Sequence, residues 1–152
     1  MSTHRATIEW RLDGDFPSRR YSRAHTLSFD GGLEVPGSAS PQVVPPPWSR
    51  ADALDPEAAF IAALSSCHML WFLDLASRAG LIATSYRDQA EGSLARDADG
   101  RMAITQVVLR PAVAFVEGSS PTAAELAALH HRAHEECFIA NSVKTQVIVE
   151  PL

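Results

Sequence analysis

Two cysteines stand in a chain of 152 residues, and both have histidine neighbours. Cys67 lies in AALSSCHMLWFL, the most apolar run of the sequence, immediately before His68, and Cys137 closes HHRAHEEC, behind His130, His131 and His134. A thiol reacts as thiolate, and burial among apolar side chains raises its pKa unless a cation or a hydrogen-bond donor opposes the effect. If Cys67 is reactive it needs such help, because its place in mid-helix is beyond the reach of the helix dipole, which fades within the first turn. The cation must then come from another segment, and PSRRYSR offers Arg19, Arg20 and Arg23 on or beside an early strand. An arginine in an apolar pocket requires a carboxylate in turn, and Glu57 is the nearest candidate in sequence. By the rise per residue of a straight helix Glu57 and Cys67 lie ~15 Å apart. Their cooperation calls for a long arginine reaching between them, or for the glutamate of a second subunit.

A rival chemistry is metal binding. His130, His134 and Cys137 fall at i, i+4 and i+7 on one helix face, a nitrogen-and-sulfur set that suits zinc, and Cys67 as a fourth ligand would close a structural site. Against it, the chain has no C-x-x-C knuckle. Each residue also has a plainer reading. A buried free cysteine packs as a small hydrophobe, which would leave an inert module that binds an apolar ligand. His68 points about 100° away from Cys67 around a helix, towards core or interface. Glu57 suits the dipole of a first turn, and the arginines suit a solvated surface cluster.

Composition narrows the classes of function. The net charge is -5 and no lysine or arginine stripe is present, which argues against nucleic acid as a partner. The opening MSTHRATIEWRL has no apolar signal core. His68 and Asp74 interrupt the longest apolar stretch, so it is expected to fall short of the ~20 residues that span a bilayer. A soluble cytoplasmic protein is the expectation, with both cysteines reduced at rest.

The elements that must position these residues follow from patterning. RATIEWRL alternates with a period of two, as a half-buried strand does, and YSRAHTLSFDGG and LEV read as a second and a short third strand. Pro36 to Ser49 holds five of the ten prolines and is expected to be a loop, packed over a site or a partner subunit. Asp55-Pro56-Glu57 starts a helix that should run to Gly80, with apolar residues all round it, as in a helix buried on most sides. Two long alternating segments around DADG predict a β-hairpin. Ser120-Pro121 opens a second helix, and SVKTQVIVE is a last strand. The expected whole is a single α+β domain over residues 1–152 with mostly antiparallel sheet.

DPEAAFIAALSSCHM, with a second cysteine about seventy residues later in HEECFIANSV, resembles the OsmC/Ohr family of osmotically inducible protein C and organic hydroperoxide resistance proteins. The likeness extends over nearly the whole chain in element order, and the glutamate-to-cysteine spacing is its most specific feature. It implies a tightly intertwined α+β homodimer with active sites at the subunit interface. It also implies a stress-response peroxidase that reduces organic hydroperoxides with no metal or organic cofactor. By resemblance Cys67 matches the peroxidatic cysteine, Cys137 the resolving cysteine, and Glu57 the carboxylate that holds the active-site arginine. No motif fixes that arginine; Arg23 is favoured and Arg20 comes second. Phe138 follows Cys137 where many members of the family have proline. The implied reductant is an external dithiol, often lipoyl in the family. The runner-up reading keeps the fold, with either the zinc set of His130, His134 and Cys137 or an inert apolar-ligand module.

Overall fold

Asp55 caps the longest element. Its carboxylate accepts a hydrogen bond from the Ala58 N–H at 2.7 Å, Pro56 fills the first helical position, and Glu57 lies in the first turn. Helix α1 then runs Pro56–Arg78 in this computed structural model, which describes residues 1–152. It stops short of the expected Gly80 because that glycine takes φ +77° and closes the last turn. The Leu81 N–H donates to the Ala76 carbonyl and the Gly80 N–H to Ser77, both at 3.0 Å, the pattern that an αL glycine makes at a helix end.

The chain forms two compact units, residues 1–59 and 60–152. In the first, β1 (Ala6–Trp10), β4 (His25–Phe29) and β5 (Glu34–Gly37) make an antiparallel sheet in the order β1-β4-β5. Ile8 stands opposite Leu27, and Trp10 opposite His25. The expected half-burial of β1 is not observed. Every residue of the strand is exposed, Ile8 at 58%, so its alternation builds an apolar face that this chain leaves open. The expected second strand is divided. Arg20–Tyr21 (β3) pairs with Gly14–Asp15 (β2) in a separate ribbon. Between β3 and β4, Ala24 N–H donates to Ser22 Oγ at 3.2 Å and His25 Nδ1 lies 2.8 Å from the Arg23 carbonyl, local bonds that compete with a ladder. The proline-rich segment forms no helix or strand beyond the end of β5 and one bridge from Gly37 to Leu54. It is tied down by the buried Ser38, whose Oγ accepts from Arg50 N–H at 2.9 Å.

In the second unit the DADG hairpin is present as β7 (Glu91–Arg96) and β8 (Met102–Leu109). Asp97 Oδ1 holds its turn by accepting from the N–H groups of Asp99 and Arg101, both at 2.9 Å. Each long alternating segment is nonetheless split in two, with β6 (Ala83–Asp88) pairing to β9 (Pro111–Phe115) apart from β7 and β8. Asp88 makes the corner. One of its oxygens accepts from Arg110 N–H at 2.6 Å and the other from the Ser65 hydroxyl of α1 at 2.5 Å. The last strand, β10 (Gln146–Val149), lies parallel to β8, the one parallel pairing between strands.

Helix α2 runs Ala123–Glu136, and its cap is Thr122 where the sequence suggested Ser120. Thr122 and Glu125 bond reciprocally: the hydroxyl accepts from Glu125 N–H at 3.3 Å and the carboxylate from Thr122 N–H at 2.8 Å. This capping box satisfies two donors where a Ser120 cap would satisfy one. Thr122→Ala is expected to lower stability by about 1 kcal/mol, measured as a lower urea midpoint at unchanged slope.

One face of α1, carrying Leu64, His68, Phe72, Leu75 and Ala76, is buried. Phe72, Leu75 and Ala76 pack with Ala133 of α2 against Tyr86, Val113 and Phe115, and Leu64 packs with Val107 and Leu109. Burial on most sides, expected from the sequence, is not found in the single chain, where Leu70 on the outer face is 61% exposed. In length and apolar character α1 does reach that of a membrane-crossing helix, against the expectation that His68 and Asp74 interrupt it too soon. His68 faces the core, where it breaks no apolar surface.

Candidate active site

The outer face of α1 forms one wall of an apolar cavity of about 580 Å³. Cys67 lines it with Ala63, Leu70 and Trp71 of the helix, and Phe138 and Ile139 line it from the segment after α2. At the far end Asp74 and Arg78 pair with each other at 2.9 Å.

Cys137 reaches the same place from α2. The helix ends at Glu136, and Cys137, as its C-cap, leaves helical geometry at φ -66° and ψ 108°. A 3-10 turn at Ala140–Ser142 follows, and its first N–H, that of Ala140, donates to Cys137 Sγ at 3.4 Å. Cys137 is 1% exposed while Cys67 is half-buried, and both are free thiols. Burial pushes the Cys137 thiol up to about 11, and the neighbouring Cys67 adds to the rise against the backbone donors Ala140 and Ile139. The two sulfurs are therefore neighbours of unequal character: one faces the cavity, the other lies behind it as a neutral thiol.

Sequence neighbours of the thiols go elsewhere. His68, 1% exposed, turns inward as a core residue, and its Nε2 lies 3.0 Å from His130 Nδ1. The two rings meet edge to edge, with 5.3 Å between centroids and 4° between planes, and His130 stacks on Phe72 at 4.3 Å. Burial lowers both imidazoles to about 4, aided for His68 by the neighbouring His130 and His134 and opposed by Asp88. His68 Nδ1, His130 Nε2, His134 Nδ1 and the Tyr86 hydroxyl are buried without hydrogen-bond partners. The helix-face zinc set is not assembled: His130 is directed at His68, Cys137 at Cys67, and no three His, Cys, Asp or Glu side chains are grouped to hold a metal ion.

Arg23 and Glu57 belong to the unit of residues 1–59. The Arg23 guanidinium lies 3.8 Å over the Tyr21 ring and donates to the carbonyls of Arg19, at 3.1 Å, and Tyr21. Arg20 lies exposed in β3, and Arg19 has a positive φ of 65°. Glu57 is half-buried, and its Oε2 is buried without a hydrogen-bond partner. Of the four residues that the resemblance marks, the structure brings the two thiols together, with Arg23 and Glu57 in the other unit. Trp71 was not singled out in the sequence, although its i+4 spacing from Cys67 puts both on one helix face.

The family model described as OsmC-like protein matches residues 49–151. A solved OsmC-like protein of unknown function from Vibrio cholerae is 49% identical over 100% of both chains, with a TM-score of 0.98. An organic hydroperoxide resistance protein from Elizabethkingia anophelis shares 19% identity at a TM-score of 0.70, with 99% of this chain and 94% of that one covered. The organic hydroperoxide resistance protein OhrB of Bacillus subtilis shares 18% at 0.67, with 99% and 98% covered. At these lower identities the likeness is one of fold. No curated protein matches the chain.

Proposed function

This chain belongs to the OsmC-like protein family, and on that footing we propose that it is a thiol-dependent peroxidase that reduces organic hydroperoxides through Cys67 and Cys137. The observation that supports the reading is a cavity-facing thiol, Cys67, with a second, buried thiol, Cys137, as its neighbour. Cys67 is the attacking residue because it alone of the two opens into the cavity, and Cys137, with its thiol pushed up to about 11, stays protonated near neutral pH.

The Cys67 thiolate attacks the distal oxygen of the hydroperoxide. An S–O bond forms, the O–O bond breaks, and the alkoxide leaves and takes a proton to become the alcohol. Cys67 is now a sulfenic acid. Cys137 sulfur attacks it, the hydroxyl departs as water with the Cys137 proton, and an intramolecular disulfide results. An external dithiol then supplies two electrons and two protons and restores both thiols, which a reducing cytoplasm keeps ready. Thiol and dithiol account for all the electrons, so the cycle needs no metal or organic cofactor. In the homodimer that we propose, Arg23 stabilises the thiolate and the developing alkoxide, and the unpartnered Glu57 oxygen is the acceptor that holds its guanidinium. The apolar walls of the cavity favour an organic hydroperoxide over hydrogen peroxide.

Cys137→Ser separates the two half-reactions. It is expected to consume one equivalent of hydroperoxide and to accumulate a sulfenic acid that dimedone traps on Cys67, with no intramolecular disulfide. A variant that turns over repeatedly without Cys137, or a label found on another residue, contradicts the assignment.

A further inference from the structure

Phe138 follows the buried Cys137, yet its side chain is 67% exposed and forms a wall of the cavity into which Cys67 opens. Its ring is held in place. It meets Trp71 edge to face, with 5.4 Å between centroids and 89° between planes, and its carbonyl accepts from the Ser142 hydroxyl at 2.7 Å. The turn behind it is closed by Asn141 N–H donating to the Cys137 carbonyl at 3.0 Å. A ring fixed beside a reactive sulfur is a ready stacking partner for another ring, since aromatic pairs gain energy beyond the area they bury. The cavity offers little to a charged substrate, because Asp74 and Arg78 already pair with each other.

Resting on the peroxidase reading, we infer that Phe138, steadied by Trp71, is a specificity-determining residue that selects hydroperoxides carrying an aromatic ring next to the peroxide-bearing carbon. Cumene hydroperoxide and tert-butyl hydroperoxide make a matched pair, for they differ by a phenyl in place of one methyl. The readout is how their rate ratio changes on substitution, which cancels the difference in leaving group.

The test uses the reduced protein of 152 residues and measures second-order thiol oxidation by each peroxide. Phe138→Ala is expected to lower the cumene rate about tenfold more than the tert-butyl rate, and Phe138→Tyr, which keeps a ring, to restore the ratio. An unchanged ratio, or equal slowing of both peroxides, overturns the inference. A second measurement is independent of peroxide chemistry. Cumyl alcohol has the ring and no O–O bond, and its binding, followed by NMR of the Trp71 indole, should weaken about tenfold in Phe138→Ala. Equal binding to both forms refutes the role of Phe138 whatever the thiols do. Weakened binding in a protein whose thiols ignore both peroxides removes the peroxidase and keeps the aromatic recognition.

Discussion

Cys67→Ser is expected to reduce hydroperoxide turnover to the uncatalysed background. A serine hydroxyl is almost wholly protonated at neutral pH and is a poor nucleophile towards a peroxide oxygen, so the first step has no attacking group. Cys137 cannot substitute for it. It is 1% exposed, its thiol is pushed up to about 11, and it does not line the cavity. The half-buried Cys67 has no packing role comparable to that of Leu64 or Phe72, so the variant should unfold at close to the wild-type temperature while losing activity. Measured turnover with lipoamide or dithiothreitol as reductant decides the matter, and retained activity in a folded Cys67→Ser protein contradicts the assignment.

The buried imidazole pair predicts a second large effect, on stability. His68 and His130 are both lowered from an ordinary 6.5 to about 4, so in the folded protein they stay neutral at pH values where the unfolded chain binds protons. The groups that face His68 are His130 and His134, which disfavour its charge, and Asp88, which favours it. A depressed folded-state pKa gives stability that is complete above pH 6.5 and is lost as pH falls towards 4. For His68 the loss at pH 4 is on the order of 3 kcal/mol. Wild-type protein should therefore show a falling Tm between pH 7 and pH 4.5, before most carboxylates are protonated. His130→Phe should flatten that slope, because one titrating ring is gone and the other loses its neighbour. A wild-type Tm that is level across this range contradicts the buried neutral pair.

Local chemistry was legible where it acts alone. Asp55-Pro56-Glu57 specifies the start of α1 within a few residues, and DADG specifies the turn between β7 and β8 through Asp97. Two cap signals lie two residues apart at the start of α2, and Thr122 with Glu125 prevails over Ser120 through its reciprocal bonds. What depends on distant partners was not legible. The alternation from Tyr86 to Phe115 does not show that Asp88 ties Arg110 and Ser65 into a corner that divides four strands between two sheets. Apolar residues all round α1 suggested burial on most sides, yet a single chain covers one face and leaves the Leu70 face open. At the site, Cys67 stood out as a thiol in an apolar run, and the pairing with Cys137 came from the family resemblance. The contact between His68 and His130 spans the sequence from α1 to α2 and needs the packed fold to be seen.

The redox couple of Cys67 and Cys137 is tested most directly by intact mass and free-thiol counting on reduced, metal-stripped protein, before and after one equivalent of cumene hydroperoxide. Loss of both thiols with a mass decrease of two hydrogens, in a disulfide that maps to Cys67 and Cys137, is the predicted result. Two thiols still free after the peroxide has been offered would contradict it.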